Sequence, residues 1–157
     1  FQLLEQVSGR AGRKAAPGRV WIQAFQVQHP VLQYVQQHAY TAFFQDEIRM
    51  RNTFGYPPFI RLIRIQLKHK KQQTVQQAAA ELAQQLATMP EIILLGPAEP
   101  DIARVRNMYL MEIMLKLQRD TRTLHQQKNI ILQQMALLKT IPAFRSVILF
   151  ADVDPLG

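Results

Sequence analysis

Within Gln6-Val-Ser-Gly-Arg-Ala-Gly-Arg13, two arginines stand three residues apart, each preceded by glycine, with a glutamine four residues before the first. Such a set can hold a polyphosphate. Guanidinium groups give forked, permanently charged contacts to phosphate oxygens. Gly9 and Gly12 permit close backbone approach. At helical spacing Gln6, Arg10 and Arg13 fall on one face. The other half of a nucleotide site is missing, because no Gly-x-x-x-x-Gly-Lys-Ser/Thr loop occurs in the 157 residues. A Gly-Arg-x-Gly-Arg string also suits a basic, flexible turn. Gln6 and the following Pro17-Gly18-Arg19-Val-Trp-Ile-Gln23, a turn feeding a strand, favour the nucleotide reading.

Three further groups of cations could meet a phosphate backbone. Arg64, Gln66 and Lys68 alternate along one strand, followed by Lys70 and Lys71, and face Glu112, Lys116 and Gln118 if that strand pairs with a later one. Arg104, Arg106 and Asn107 occupy a polar stretch before that later strand. Lys116, Arg119, Arg122 and Lys128 gather where a helix begins, a position where positive side chains oppose the helix dipole. Each Lys or Arg contact to phosphate adds sequence-independent, salt-sensitive affinity. The same residues also suit solvated surfaces. The open sheet face lacks the paired exposed aromatics with which RNA-recognition sheets stack bases.

Asp152 and Asp154, two apart, share a face of a strand, but no further acidic ligand lies near them in sequence and no metal site is expected. The histidines (29, 38, 69, 125) show no ligand spacing, and no serine–histidine arrangement suggests a nucleophile. The chain alone is therefore not expected to be an enzyme.

Composition sets bounds on the rest. A hydrophobic content of 48% is that of a globular protein, and no apolar run approaches the ~20 residues that span a bilayer. The absence of cysteine excludes disulfides and cysteine-bound zinc within the chain. The net charge of +8 leans toward an anionic partner. Residues 1–58 carry 6 of the 19 basic and 3 of the 11 acidic side chains, so the excess is spread out. The first residues, Phe1-Gln-Leu-Leu-Glu5, read as a chain entered in mid-domain.

Periodicity supplies the elements that must position these groups. A helix over 2–14 ends before Pro17-Gly18, a strand over 19–25 follows, and Pro30 opens the first of two helices over 31–38 and 39–52. Asn52–Phe59, with Gly55 and adjacent prolines, is the boundary between a region 1–58 and a domain 59–157. In that domain strands over 59–69, 92–95, 109–118 and 147–151 alternate with helices over 72–88 and 121–139. The second strand is expected to end at Gly96-Pro97. Val75, Ala79, Leu82 and Leu86 form the stripe of one helix, and Met111, Ile113, Leu115 and Leu117 the inward side of a strand. The order β-α-β-β-α-β predicts an α+β fold, a four-stranded antiparallel sheet with two helices on one face.

Gln6–Arg13 resembles motif VI of superfamily 2 helicases, Gln-x-x-Gly-Arg-x-Gly-Arg. That segment, with Pro17–Val20, Ile22-Gln23, His29-Pro30, Tyr40, Phe43, Glu47, Arg51, Tyr56–Phe59, Leu95–Pro97, Ile113–Lys116 and Asp152–Pro155, resembles the C-terminal end of the PriA family of bacterial primosomal replication-restart helicases. The resemblance implies an ATP-driven, 3′ to 5′ DNA helicase, cytoplasmic and nucleoid-associated. Residues 1–58 would then be the end of its second RecA-like lobe and a helical linker. Arg10 and Arg13 would be the motif VI arginines and, with Gln6, part of a site for ATP with Mg. A phosphate-binding lobe and a zinc-holding cysteine module would lie outside this chain. Branched and single-stranded DNA, the tail of single-strand DNA-binding protein and other primosome proteins are the implied partners, with no membrane. Arg64, Lys68, Arg104, Arg106, Lys116, Arg119 and Arg122 are the candidate DNA or partner contacts. One departure from the family pattern is Leu110, where an arginine commonly follows the aromatic residue. A stand-alone RNA- or ribosome-binding module and a domain that buttresses the helicase lobes are the alternatives.

Overall fold

A computed structural model describes residues 1–9, 19–89 and 91–155 of the chain, which divide after Thr53 into two compact units. The first is helical. Its elements are α1 (Gln2–Ser8), α2 (Pro30–Gln36) and α3 (Tyr40–Thr53). Pro30 stands in the first turn of α2, where its missing N–H costs nothing, and His29 Nδ1 accepts a hydrogen bond from Val31 N–H at 3.3 Å. His38, in the left-handed region at φ 51°, separates α2 from α3. The unit is held by rings: Phe1 stacks on Phe43 at 4.9 Å, and Tyr34 meets Phe43 edge-on at 6.0 Å. Tyr34 donates its hydroxyl to Asp46, and that hydrogen bond to a carboxylate raises the tyrosine's pKa.

The expected strand over 19–25 does not form. Those residues are irregular, with Trp21 89% exposed and Phe25 fully exposed. Alternation alone cannot make a strand, because the backbone needs a neighbour to complete its hydrogen bonds, and the described residues offer none here. The helix expected over 2–14 ends at Ser8, and the remainder of that stretch lies outside the described residues.

The second unit, from Phe54 on, has the α+β class and the order expected for its sheet. The elements are β1 (Ile60–His69), α4 (Gln72–Ala87), β2 (Ile92–Ala98), β3 (Arg104–Val105), β4 (Met108–Gln118), α5 (Thr121–Thr140) and β5 (Ile148–Val153). The antiparallel sheet runs β2-β4-β1-β5, and the two-residue β3, read from sequence as a polar loop, adds a fifth strand beside the start of β4. β2 does not stop at Gly96-Pro97. It passes through an irregularity to Ala98, with Gly96 at φ 97°.

Both helices cover one face. Ile63, Ile65 and Leu67 of β1 and Met111, Ile113, Leu115 and Leu117 of β4 pack against Val75, Ala79, Leu82 and Leu86 of α4 and Ile131 and Leu138 of α5. Burying each large aliphatic side chain contributes roughly 1.5–3 kcal/mol. That layered core makes the sheet a rigid frame on which surface groups have set positions.

Candidate nucleic-acid interface

The register of the sheet decides which cations meet. Ile60 pairs with Gln118 and His69 with Tyr109, so β1 and β4 are matched end to end. At about 3.4 Å per residue, Met108 and Gln118 lie roughly 34 Å apart along β4. Arg104 and Arg106 therefore stand at one end of the sheet, and Arg119 and Arg122 leave the other. The seven sequence-predicted contacts do not form one patch.

The face opposite the helices is less polar than its alternation suggests. Gln66 faces Glu112 as expected and donates to Oε1 at 2.6 Å. Arg64, however, faces Met114, and Lys68 faces Leu110. Leu62 and Leu110 are buried on this face, and Ile93 and Leu95 of β2 are exposed on it. The cause is the register, which sets aliphatic residues of β2 and β4 beside the polar ones of β1. Leu110, buried on this face, thus serves packing.

Several predicted contacts already have partners. Arg64 Nη2 donates to Asp152 Oδ2 at 3.1 Å. Lys68 Nζ lies 4.7 Å from the centroid of Phe150, and Lys116 Nζ lies 4.4 Å from that of Tyr56 while donating to the Phe54 carbonyl at 2.9 Å. Arg119 Nη1 donates to the Pro58 carbonyl at 3.1 Å. Lys116 and Arg119 therefore hold the segment 54–58 against the domain. Asp152 and Asp154 are engaged as well, with Arg64 and with Arg61 respectively. No group of three histidines and carboxylates able to hold a metal occurs among the described residues.

A cleft of about 540 Å³ opens on the same face, and Glu99, Asp101 and Glu112 are among its lining residues. Gln72 and Gln76 both donate to Glu99, at 3.2 and 3.3 Å. Three carboxylates beside an arginine already neutralised by Asp152 repel phosphate. A nucleic acid has no reason to lie across this cleft.

The end of the sheet at the start of β4 is different. Lys70 and Lys71 leave β1 directly after His69, which pairs with Tyr109, and Arg104 pairs with that same Tyr109. Ile148 pairs with Lys68, which brings Arg145, three residues before it, to the same end. His69 Nε2 lies 3.1 Å from Ser146 Oγ, which ties the two segments. Lys70, Lys71, Arg104, Arg106 and Arg145 are all exposed there. Arg145 was not singled out from sequence, since only the β1–β5 pairing brings it to Lys70. No described hydrogen bond or ion pair engages Arg106 or Arg122.

Gln6 is exposed on α1, while Arg10 and Arg13 lie outside the described residues. No helix among the described residues is long and apolar enough to cross a membrane.

Sequence comparison identifies the family of the sheet unit. Residues 52–156 match the family model of the primosomal protein N C-terminal domain. The chain is 36% identical, over its whole length, to a replication restart protein PriA from Synechocystis, of which it spans 18%. It is 34% identical over its whole length to the PriA protein of Treponema pallidum, spanning 23% of it, and 34% identical over 77% of the chain to that of Bacillus subtilis, spanning 15%. The chain thus covers less than a quarter of the length of these relatives, and the family model falls on the sheet unit described above. It belongs to the primosomal protein N C-terminal domain family.

Proposed function

We propose that this chain is the C-terminal part of an ATP-dependent, 3′ to 5′ DNA helicase of replication restart, working in the cytoplasm on the nucleoid. Its sheet unit binds DNA without sequence preference through the basic end. The observation that carries the DNA contact is the register-defined meeting of Lys70, Lys71, Arg104, Arg106 and Arg145 at one end of a rigid sheet. Point charges on separate segments suit a repeating phosphate backbone better than a single small ligand. The names of the relatives, replication restart proteins, support the same reading.

In the parent enzyme, ATP and Mg would be held chiefly by residues outside this chain, and Gln6, Arg10 and Arg13 would contact the nucleotide's phosphates. There the arginines would neutralise charge developing on the transferred phosphoryl oxygens. Residues 19–25, strand-like in pattern and unpaired here, would join the sheet of that lobe. The acidic tail of single-strand DNA-binding protein is a second ligand for the same positive charge, and branched DNA with other primosome proteins completes the set of partners.

The test is a salt titration of DNA binding by the 157-residue chain. Binding to duplex and single-stranded DNA should fall steeply as salt rises. Lys70→Glu with Lys71→Glu should flatten the slope by about two units, one per lost phosphate contact. Adding the acidic tail peptide should release DNA if the two share the surface. Absence of salt-dependent binding at low ionic strength would favour a domain that only buttresses the helicase lobes.

A further inference from the structure

We propose that the turn Arg106-Asn107 between β3 and β4 is a probe for the groove of double-stranded DNA, with Arg106 its inserting side chain. This rests on the DNA-binding reading above and narrows it to one turn and one form of DNA. Arg104 pairs with Tyr109 and Val105 with Met108, so the loop between the strands is two residues long. Both loop residues have positive φ, 49° at Arg106 and 61° at Asn107. That is the pattern of a type I′ hairpin turn, which favours asparagine, aspartate and glycine. Asn107 suits its place. Arg106 does not, since a long side chain in the left-handed region crowds its own backbone.

Nothing within the unit compensates Arg106. It is exposed, and no described hydrogen bond or ion pair engages it. Its neighbour behaves in the opposite way. Arg104 lies over the Tyr109 ring, 5.0 Å from the centroid, and its Nη2 donates to Asn107 Oδ1 at 3.3 Å. Arg104 braces the turn from the helix side of the sheet, and Arg106 projects from its tip. A strained residue that no described hydrogen bond or ion pair engages points to a use outside the fold.

The geometry points to a groove. Paired strands lie about 5 Å apart, and one guanidinium at the tip of so narrow a ribbon fits a minor groove roughly 6 Å wide. Narrow minor grooves concentrate negative potential and attract inserted arginine. Lys70, Lys71 and Arg145, at the same end of the sheet, would meet the phosphates on either side. Asp101 and Glu112 line the cleft on the open face, and Glu99 is engaged by Gln72 and Gln76 of α4. Single-stranded DNA has no groove and would use the lysines without the turn.

The experiment compares binding of the 157-residue chain and its Arg106→Asn and Arg106→Gly variants to a short duplex and to one of its single strands. Thermal melting is followed in parallel. Duplex affinity is expected to fall about fivefold to tenfold in both variants, the scale of one charge-assisted contact. Single-strand affinity should stay within about twofold, the duplex salt slope should drop by about one unit, and both variants should melt at or above the wild-type temperature. Unchanged duplex affinity, an equal loss for both DNAs, or a loss that follows a lower melting temperature would each overturn the assignment. Wild-type protein that binds neither DNA would remove the DNA-binding reading itself, whereas wild-type binding with unaffected variants removes only the role of the turn.

Discussion

Asp154 and Leu62 hold each other by both backbone and side chain: Leu62 N–H donates to Asp154 Oδ1 at 3.1 Å, and Asp154 N–H donates to the Leu62 carbonyl at 2.8 Å. The other carboxylate oxygen accepts from Arg61. Asp154, at φ 51°, turns the chain away just past β5, so the pair marks where the last strand is fastened to the first. Asp152 and Asp154, for which no metal site is expected from sequence, are thus occupied by Arg64, Arg61 and a backbone amide.

Asp154→Ala should therefore loosen β5. Loss of the acceptor leaves a partly buried N–H and a guanidinium without partners, and the expected cost is about 1–3 kcal/mol. Asp154→Asn keeps an acceptor for Leu62 N–H and should cost less than about 1 kcal/mol, since the ion pair is partly exposed. Urea unfolding measures both. Equal midpoints for the alanine variant and wild type would show that the latch contributes nothing.

Gly96 carries a second expectation. A Cβ there would stand 2.8 Å from the Glu112 carbonyl oxygen and 3.1 Å from Ala98 N, both backbone atoms that cannot turn aside. With φ at 97° the position is strained for any side chain. Gly96→Ala should cost about 2–4 kcal/mol and free the edge strand β2 first. Amide exchange would register this as early loss of protection across Ile92–Ala98, and unchanged protection there would contradict it.

Periodicity carried most of the sheet unit, because a two-layer core imposes its pattern on each element separately. The α4 stripe and the inward side of β4 are where their spacing put them. What periodicity cannot supply is which residues stand beside one another. Arg64 reads as one of a row of polar residues, yet its neighbours across the ladder are Met114 and Asp152. Arg145 gives no local signal, and only the pairing of Ile148 with Lys68 brings it to the basic end. β3 escaped notice because its turn is Arg-Asn and not the Asn-Gly that announces a hairpin. Residues 19–25 failed in the other direction: the pattern is that of a strand, but no described strand lies alongside.

The motif VI arginines give a prediction about the longer protein. In a full-length helicase carrying this chain, Arg10→Ala or Arg13→Ala should lower DNA-stimulated ATP hydrolysis about 10³-fold, the scale for losing a transition-state arginine. DNA affinity should stay within about twofold, because the basic end of the sheet unit is untouched. Steady-state rates within tenfold of wild type for both variants would contradict the assignment. The 157-residue chain itself should show no hydrolysis above background, since it lacks a phosphate-binding loop.

The separation of the two cationic ends along β4 can be tested with equal changes of charge. Lys70→Glu and Arg122→Glu each shift the net charge by two units, and both positions are exposed, so neither should disturb the fold. If only overall charge steered DNA to the chain, the two variants would weaken binding alike. If contacts gather beside the start of β4, Lys70→Glu should lower duplex affinity about tenfold and Arg122→Glu less than about threefold at moderate salt. The local effect should survive at higher ionic strength, where a Debye length of about 8 Å screens a charge roughly 34 Å away. Equal losses at every salt concentration, or a larger loss for Arg122→Glu, would move the interface to the start of α5.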